Sequence, residues 1–82
     1  MGKYAPLGFF LKNCNNGTEI LSFNEIETIL GFPLPNSATT RREWWGNEND
    51  QTTRHTHCKE WLRSGWKVEN VSLGFNVTFK KI

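Results

Sequence analysis

Two histidines and a cysteine lie close together in the second half of the chain, at His55, His57 and Cys58. A zinc site needs three or four such ligands that converge on one point. On a helix, positions 55 and 58 share a face, whereas position 57 lies about 200° from position 55, and the second cysteine, Cys14, is far away in the chain. We therefore expect no metal here. Cys58 is predicted to be a small buried hydrophobic residue, and the histidines are predicted to be partly exposed helix residues.

Patterns that would carry catalysis are weaker still. Cys14 is surrounded by asparagines, and nothing nearby in the sequence lowers the pKa of its thiol. The chain has no Gly-rich phosphate-binding loop, and no pair of carboxylates can be singled out. These observations predict a protein that is not an enzyme and that carries no cofactor.

The basic residues are concentrated in the second half of the chain, where all four tryptophans also lie. Residues 41–82 carry eight Lys or Arg against five Asp or Glu, a net charge of +3, whereas residues 1–40 carry two against three, a net charge of −1. This asymmetry favours an anionic partner such as DNA. An ordinary soluble surface is the alternative.

A cationic stripe is predicted on a helix over residues 52–64. His55, Lys59 and Arg63 follow at i, i+4 and i+8, and such a stripe lets a helix lie against phosphates. Charged residues on an outer helix face also serve solubility, so this alternative stays open. The predicted nucleic-acid-binding residues are Arg41, Arg42, Trp45, Asn47, Arg54, His55, Lys59, Arg63 and Lys80.

The four tryptophans are expected to play different parts. Trp61 shares an apolar helix face with Cys58, and Trp66 opens a strand, so both are predicted to be core residues. Trp44 and Trp45 are adjacent, so one is expected to be buried and the other partly exposed, as a contact residue. Because tryptophan and arginine are frequent at interface hot spots, the second hypothesis is a small protein that binds a host protein through the Trp-Trp-Gly-Asn segment.

The first half of the chain contains two predicted helices. Tyr4–Leu11 has one apolar helical face, and Glu19–Leu21 is a short strand. Ser22 and Glu25 form a capping box at the start of a helix over 23–30, and Gly31 is placed to end that helix.

The second half is predicted to contain two helices and a hairpin. A short helix spans Ala38–Trp44, and a second spans 52–64. Strands follow on both sides of a turn at Gly74, with Phe75, Val77 and Phe79 alternating inward on the last one.

This order of elements predicts a single α+β domain over residues 1–82. It is the order of a winged helix, in which helices around a helix-turn-helix core are closed by a C-terminal β-hairpin, here with a short third strand. The connection from Gly31 to Thr52 far exceeds the 3–4-residue turn of a helix-turn-helix. Either Ala38–Trp44 or 52–64 is therefore the recognition element. A non-enzymatic DNA-binding module, regulatory or associated with a mobile element, is the function expected.

Four blocks of the sequence resemble a family of small, uncharacterised bacterial and phage proteins known as a domain of unknown function. The blocks are Leu21–Gly31, Pro33–Ala38, Arg42–Asn47 and His55–Trp66, followed by Val77–Phe79. The family pattern, a Trp-Trp-x-Asn block and then a histidine before a helical tryptophan, maps to Trp44, Trp45, Asn47, His55 and Trp61. The resemblance implies a shorter loop in other members and an alanine at position 58, which agrees with a packing role for Cys58.

No targeting or membrane segment is expected. The N-terminus lacks an apolar signal core, and no apolar run approaches the roughly 20 residues that span a bilayer. Two cysteines without a signal peptide indicate reduced thiols in the cytoplasm. The predicted partners are DNA or a protein, and not a membrane.

Overall fold

The computed structural model of the chain describes residues 3–47 and 56–82. Their elements are α1 (Ala5–Lys12), β1 (Thr18–Ser22), α2 (Phe23–Leu30), α3 (Asn36–Thr40), a 3₁₀ turn η1 (Arg42–Trp45), α4 (Thr56–Arg63), β2 (Trp66–Ser72) and β3 (Asn76–Lys81). The strands form one antiparallel sheet in the order β1-β3-β2. The predicted α+β class, with a C-terminal hairpin and a short additional strand, is confirmed.

Helix α2 has both ends specified by local interactions. The Glu25 amide donates to Ser22 Oγ at 3.0 Å, and the Ser22 amide donates to Glu25 Oε1 at 2.9 Å. Both groups would otherwise be unpaired at a helix start, which is why this capping box fixes where α2 begins. At the other end Gly31 adopts a left-handed conformation with φ 84°, which glycine reaches without steric cost. The prediction of a helix over 23–30 is confirmed.

The region between α2 and α4 differs from the prediction. A continuous helix over Ala38–Trp44 is wrong, because Arg41 is extended with φ −127° and ψ 123° and separates α3 from η1. The break lets the chain turn back, so that the indole N–H of Trp45 donates to the carbonyl of Ala38 at 2.8 Å. A hydrogen bond from a side chain to a carbonyl seven residues earlier thus stands where a continuous helix would have backbone hydrogen bonds.

Helix α4 follows the part of the chain that the structure leaves undescribed. The predicted helix over 52–64 is found at Thr56–Arg63, and residues 52–55 lie outside the described residues. Gly65 follows with φ 85° and leads directly into β2.

The hairpin contains a bulge that explains its pattern of buried residues. The pairing of β2 with β3 shifts between Val68 and Asn70, so β2 contains one extra residue there. Because side chains alternate between faces along a strand, the extra residue moves the buried set from Trp66 and Val68 to Val71. On β3, Val77 and Phe79 are buried as predicted, but Phe75 lies in the turn and is 74% exposed. The prediction that Phe75 points inward is wrong.

The helices α1 and α4 pack against each other at a glycine. A Cβ on Gly8 would lie 2.7 Å from the carbonyl oxygen of Glu60, so only a residue without a side chain allows this close approach. Trp61 and Trp66 are core residues as predicted, with 0% and 1% exposure, and Cys58 is buried as predicted. Among the described residues, the buried hydrophobic core consists of Tyr4, Leu7, Leu11, Leu21, Phe23, Ile26, Leu30, Leu34, Ala38, Trp45, Cys58, Trp61, Trp66, Val68, Val71, Val77 and Phe79.

Candidate nucleic-acid interface

Lys59 and Arg63 lie on the side of α4 that faces away from the core. They are four residues apart and share one helix face. Trp61, which is 0% exposed, lies midway between them in sequence and about 200° around the helix. Arg63 is exposed and Lys59 is half-buried. The predicted contact residues Arg54 and His55 lie outside the described residues. The described part of α4 therefore presents two of the cations predicted for its outer face.

The segment from Arg42 to Asn47 closes the free edge of the sheet. Among the residues that the structure describes, β2 pairs with β3 alone, and no strand lies along its other edge. Arg42 donates from a guanidinium nitrogen to the Val71 carbonyl at 2.8 Å. The side-chain nitrogen of Asn47 donates to the Val68 carbonyl at 2.7 Å, and its side-chain oxygen accepts from the backbone N–H of Val68 at 2.8 Å. We call Arg42 and Asn47 the edge clamp, because they satisfy backbone groups that an edge strand otherwise leaves open.

Asn47 and Trp45 are both taken up by intramolecular contacts. Besides holding Val68, the Asn47 side-chain oxygen accepts from the indole N–H of Trp61 at 3.2 Å. Trp45 is only 2% exposed, and its ring stacks on Trp61 with centroids 5.8 Å apart. A ring this buried cannot meet a partner in the folded domain, so the structure corrects the prediction of Trp45 as a contact residue. Asn47 has a structural role that the sequence did not indicate.

Trp44 is the more exposed member of the tryptophan pair, since it is half-buried whereas Trp45 is buried. Its ring stacks on His57, with centroids 3.7 Å apart and planes 5° from parallel. His57 is 7% exposed, so the prediction of a partly exposed histidine is wrong for this residue. The sequence pattern missed this burial because the stacking partner comes from η1, outside the helix that carries His57.

No metal centre is evident at these side chains. Within residues 3–47 and 56–82, no group of three or more His, Cys, Asp or Glu is arranged to hold a metal ion. Burial, and secondarily the charge of Glu19, raises the pKa of the Cys14 thiol, which lowers its thiolate fraction at neutral pH. Its sulfur donates to the Phe10 carbonyl at 3.3 Å.

Arg41 and Arg42 line an open cleft beside the hairpin turn. Thr40, Glu43 and Leu73 complete its lining. Both arginines are exposed, and Arg42 is held in place by its bond to the backbone of β2. The cleft therefore combines two positive charges, one of them fixed, with a nearby carboxylate.

The lysines of the hairpin lie away from both of these places. Lys67 and Lys80 face each other across β2 and β3 and alternate with the buried residues, so they point from the outer face of the sheet. Lys80 also lies 4.0 Å from a carboxylate oxygen of Glu69. They stand at the end of the hairpin near Gly65, opposite the turn. Among the predicted contact residues that the structure describes, Lys59 and Arg63 lie on α4, Arg41 and Arg42 line the cleft, and Lys80 lies on the outer face of the sheet.

One family model, described as a domain of unknown function (DUF7662), matches residues 4–82. The chain belongs to this family. The resemblance to an uncharacterised family is thereby confirmed. No curated protein and no solved structure matches the chain.

This DUF7662 domain has a second surface that the sequence did not reveal. Phe9 is 71% exposed and, with Phe10 and Ile29, lines an apolar groove between α1 and α2.

In the part of the chain that the structure describes, no helix has the length and apolar character needed to cross a membrane.

Proposed function

We propose that this domain is a non-enzymatic, winged-helix-like DNA-binding module. In this proposal α4 is the recognition helix, and the β2–β3 hairpin is the wing. The observation that carries the proposal is the outer face of α4, where Lys59 and Arg63 stand one helical turn apart on the side opposite the buried Trp61. A helix that presents cations on its solvent face is suited to lie along a phosphate backbone.

The order of the elements supports the choice of this fold. A helix, a short strand and a second helix precede α4, and a hairpin follows it. The strand order β1-β3-β2, in which the strand between α1 and α2 closes the hairpin, is compatible with a winged helix. The α3–η1 segment is an addition to this order. The edge clamp holds it against the free edge of β2.

Of the two candidate recognition elements, α4 is favoured over α3. Helix α3 has five residues, one of which, Ala38, is buried. The hydroxyl groups of Thr39 and Thr40 donate to the Asn36 carbonyl at 2.8 and 2.9 Å, so they are engaged within the helix. Helix α4 has eight residues, and its cations Lys59 and Arg63 share one outer face.

Fluorescence anisotropy with a random-sequence duplex at low salt tests the proposal. Two matched double variants, Lys59→Gln/Arg63→Gln and Lys3→Gln/Lys12→Gln, remove the same charge from α4 and from the α1 region. If Lys59 and Arg63 each neutralise a phosphate, the first variant should reduce the slope of log Kobs against log[salt] by about 1.8. The second variant should leave the slope near that of the unmodified protein.

Two results would contradict the proposal. One is the absence of duplex binding at about 100 µM protein in low salt, where non-specific complexes with Kd values of about 1–100 µM would be detected. The other is an equal loss of affinity in both double variants, because this would mean that net charge rather than the face of α4 attracts the DNA. Thermal unfolding of each variant verifies that it is folded at the assay temperature.

A further inference from the structure

The turn of the hairpin displays a large aromatic side chain to solvent. Phe75 is 74% exposed, although the two aromatic or aliphatic residues that alternate after it, Val77 and Phe79, are completely buried. Gly74 precedes it with φ 80°, and the Phe75 amide donates to the Ser72 carbonyl at 2.9 Å. The turn thus places this ring outside the core.

The backbone that carries Phe75 is anchored to the rest of the domain. Its carbonyl accepts from the amide of Phe23 at 3.0 Å, at the first residue of α2. Phe23 is itself buried and packs on the ring of Trp45 with centroids 5.6 Å apart. The backbone of Phe75 is therefore held in place before any partner binds, and little backbone entropy is lost when the ring makes a contact.

The charge next to this turn is positive. Leu73, two residues before Phe75, lines the cleft that also contains Arg41 and Arg42. Arg42 is oriented by its 2.8 Å bond to the Val71 carbonyl. Glu43 at the same cleft offsets part of this charge, so the cleft carries two cations against one anion. The hairpin turn thus carries an exposed apolar ring at Phe75 and contributes Leu73 to a cleft with two cations, a combination that suits a polyanion whose flat apolar bases lie between its charged groups.

We propose that Phe75 is an apolar wedge that unstacks a base step of duplex DNA, with Arg41 and Arg42 holding phosphates near the same step. Proteins that contact the minor groove commonly insert an apolar side chain between base pairs in this way, and arginines are attracted to its negative potential. The inference rests on the proposed DNA-binding function and deepens it, because it assigns the wing a contact with the bases as well as with the backbone.

The test compares two phenylalanines of similar exposure. Phe75→Ala removes the wedge, and Phe9→Ala is its matched control, since Phe9 is 71% exposed on α1 and lines a different groove. Both proteins are titrated into a duplex that carries 2-aminopurine, a base whose fluorescence rises when it is unstacked. Loss of one stacking contact should weaken the affinity of Phe75→Ala by about 5- to 150-fold and remove the fluorescence rise. Phe9→Ala should behave like the unmodified protein.

The outcomes separate this inference from the function on which it rests. If the unmodified protein binds the duplex but Phe75→Ala binds equally well with the same fluorescence rise, the wedge is refuted and the DNA-binding proposal stands. If both alanine variants lose affinity equally, a specific role of the turn is likewise refuted. If the unmodified protein binds no duplex, both proposals fail. Because Phe75 is exposed, its replacement should leave the thermal midpoint unchanged, and this measurement confirms that each variant is folded.

Discussion

Replacing Asn47 with alanine tests the edge clamp most directly. Within the described residues the side chain makes three hydrogen bonds. Its nitrogen donates to the Val68 carbonyl at 2.7 Å, and its oxygen accepts from the Val68 backbone N–H at 2.8 Å and from the indole N–H of Trp61 at 3.2 Å. At a net value of about 1 kcal/mol for each bond, their loss amounts to about 3 kcal/mol. Water can reach the freed backbone of the edge strand and recover part of this. The indole N–H belongs to a side chain with 0% exposure and would stay unpaired.

We therefore expect Asn47→Ala to lower the free energy of unfolding by about 2–4 kcal/mol. This loss is a large share of the total, since a chain of 82 residues has a stability of about 4–12 kcal/mol. Urea unfolding followed by far-UV circular dichroism measures the effect as a lower midpoint with an unchanged slope. Asn13→Ala is the matched control, because its side chain makes one exposed bond, to the Phe9 carbonyl at 2.8 Å.

The same variant distinguishes a structural role of Asn47 from a role in DNA contact. At a temperature where the variant is fully folded, its affinity for duplex DNA should equal that of the unmodified protein. A loss of stability below about 0.5 kcal/mol, the range typical of surface substitutions, would refute the reasoning from the three hydrogen bonds. Reduced DNA affinity with unchanged stability would return Asn47 to the contact surface.

Two further predictions concern the helices. Gly8→Ala should destabilise the domain by about 1–2 kcal/mol even though alanine favours a helix, because its Cβ would meet the Glu60 carbonyl at 2.7 Å and overpacking outweighs the gain in propensity. The control Gly17→Ala has nothing within 4 Å and should be nearly neutral, and a thermal midpoint raised by Gly8→Ala would contradict the close packing. The hydrogen bond from the Ser22 amide, followed by that of the Ser22 side chain, lowers the pKa of Glu25. The capping box should therefore contribute fully above pH 4.5, the usual value for this group, and its contribution should be lost as the pH falls through the lowered pKa. Glu25→Gln should flatten the pH dependence of stability in this acidic range, and an unchanged profile would show that Glu25 does not contribute.

Local signals predicted the parts of the fold that local interactions decide. The capping box and Gly31 fix the ends of α2 through contacts between residues that are three or four apart in the chain. Such short-range patterns are visible in the sequence. Gly74 likewise marks the hairpin turn. The split between α3 and η1 was missed because it depends on the bond from the Trp45 indole to Ala38 and on a bond from Arg42 to Val71, which lies 29 residues away. No pattern within the segment encodes such a contact.

The candidate site, like the fold, was predicted from the sequence only where local spacing decides it. The outer face of α4 followed from helical spacing, since Lys59 and Arg63 stand opposite the apolar residues. Phe75 was misplaced because its position continues the alternation of β3, yet the strand begins one residue later, at Asn76. Trp45 was misassigned because adjacent tryptophans do not reveal which one faces inward. The packing of Trp45 against Phe23, Trp61 and Phe79 decides this.

The stacking of the tryptophans also has an optical consequence. The rings of Trp44 and Trp45 lie 4.6 Å apart, and Trp45 lies 5.8 Å from Trp61, so their electronic transitions couple. Such coupling produces a near-UV circular dichroism signal that depends on the angles between the rings and vanishes when they become mobile. The near-UV circular dichroism of these tryptophans therefore measures whether the side chains are ordered. A variant that keeps its far-UV spectrum but loses this signal has retained helices and strands while losing fixed tertiary packing.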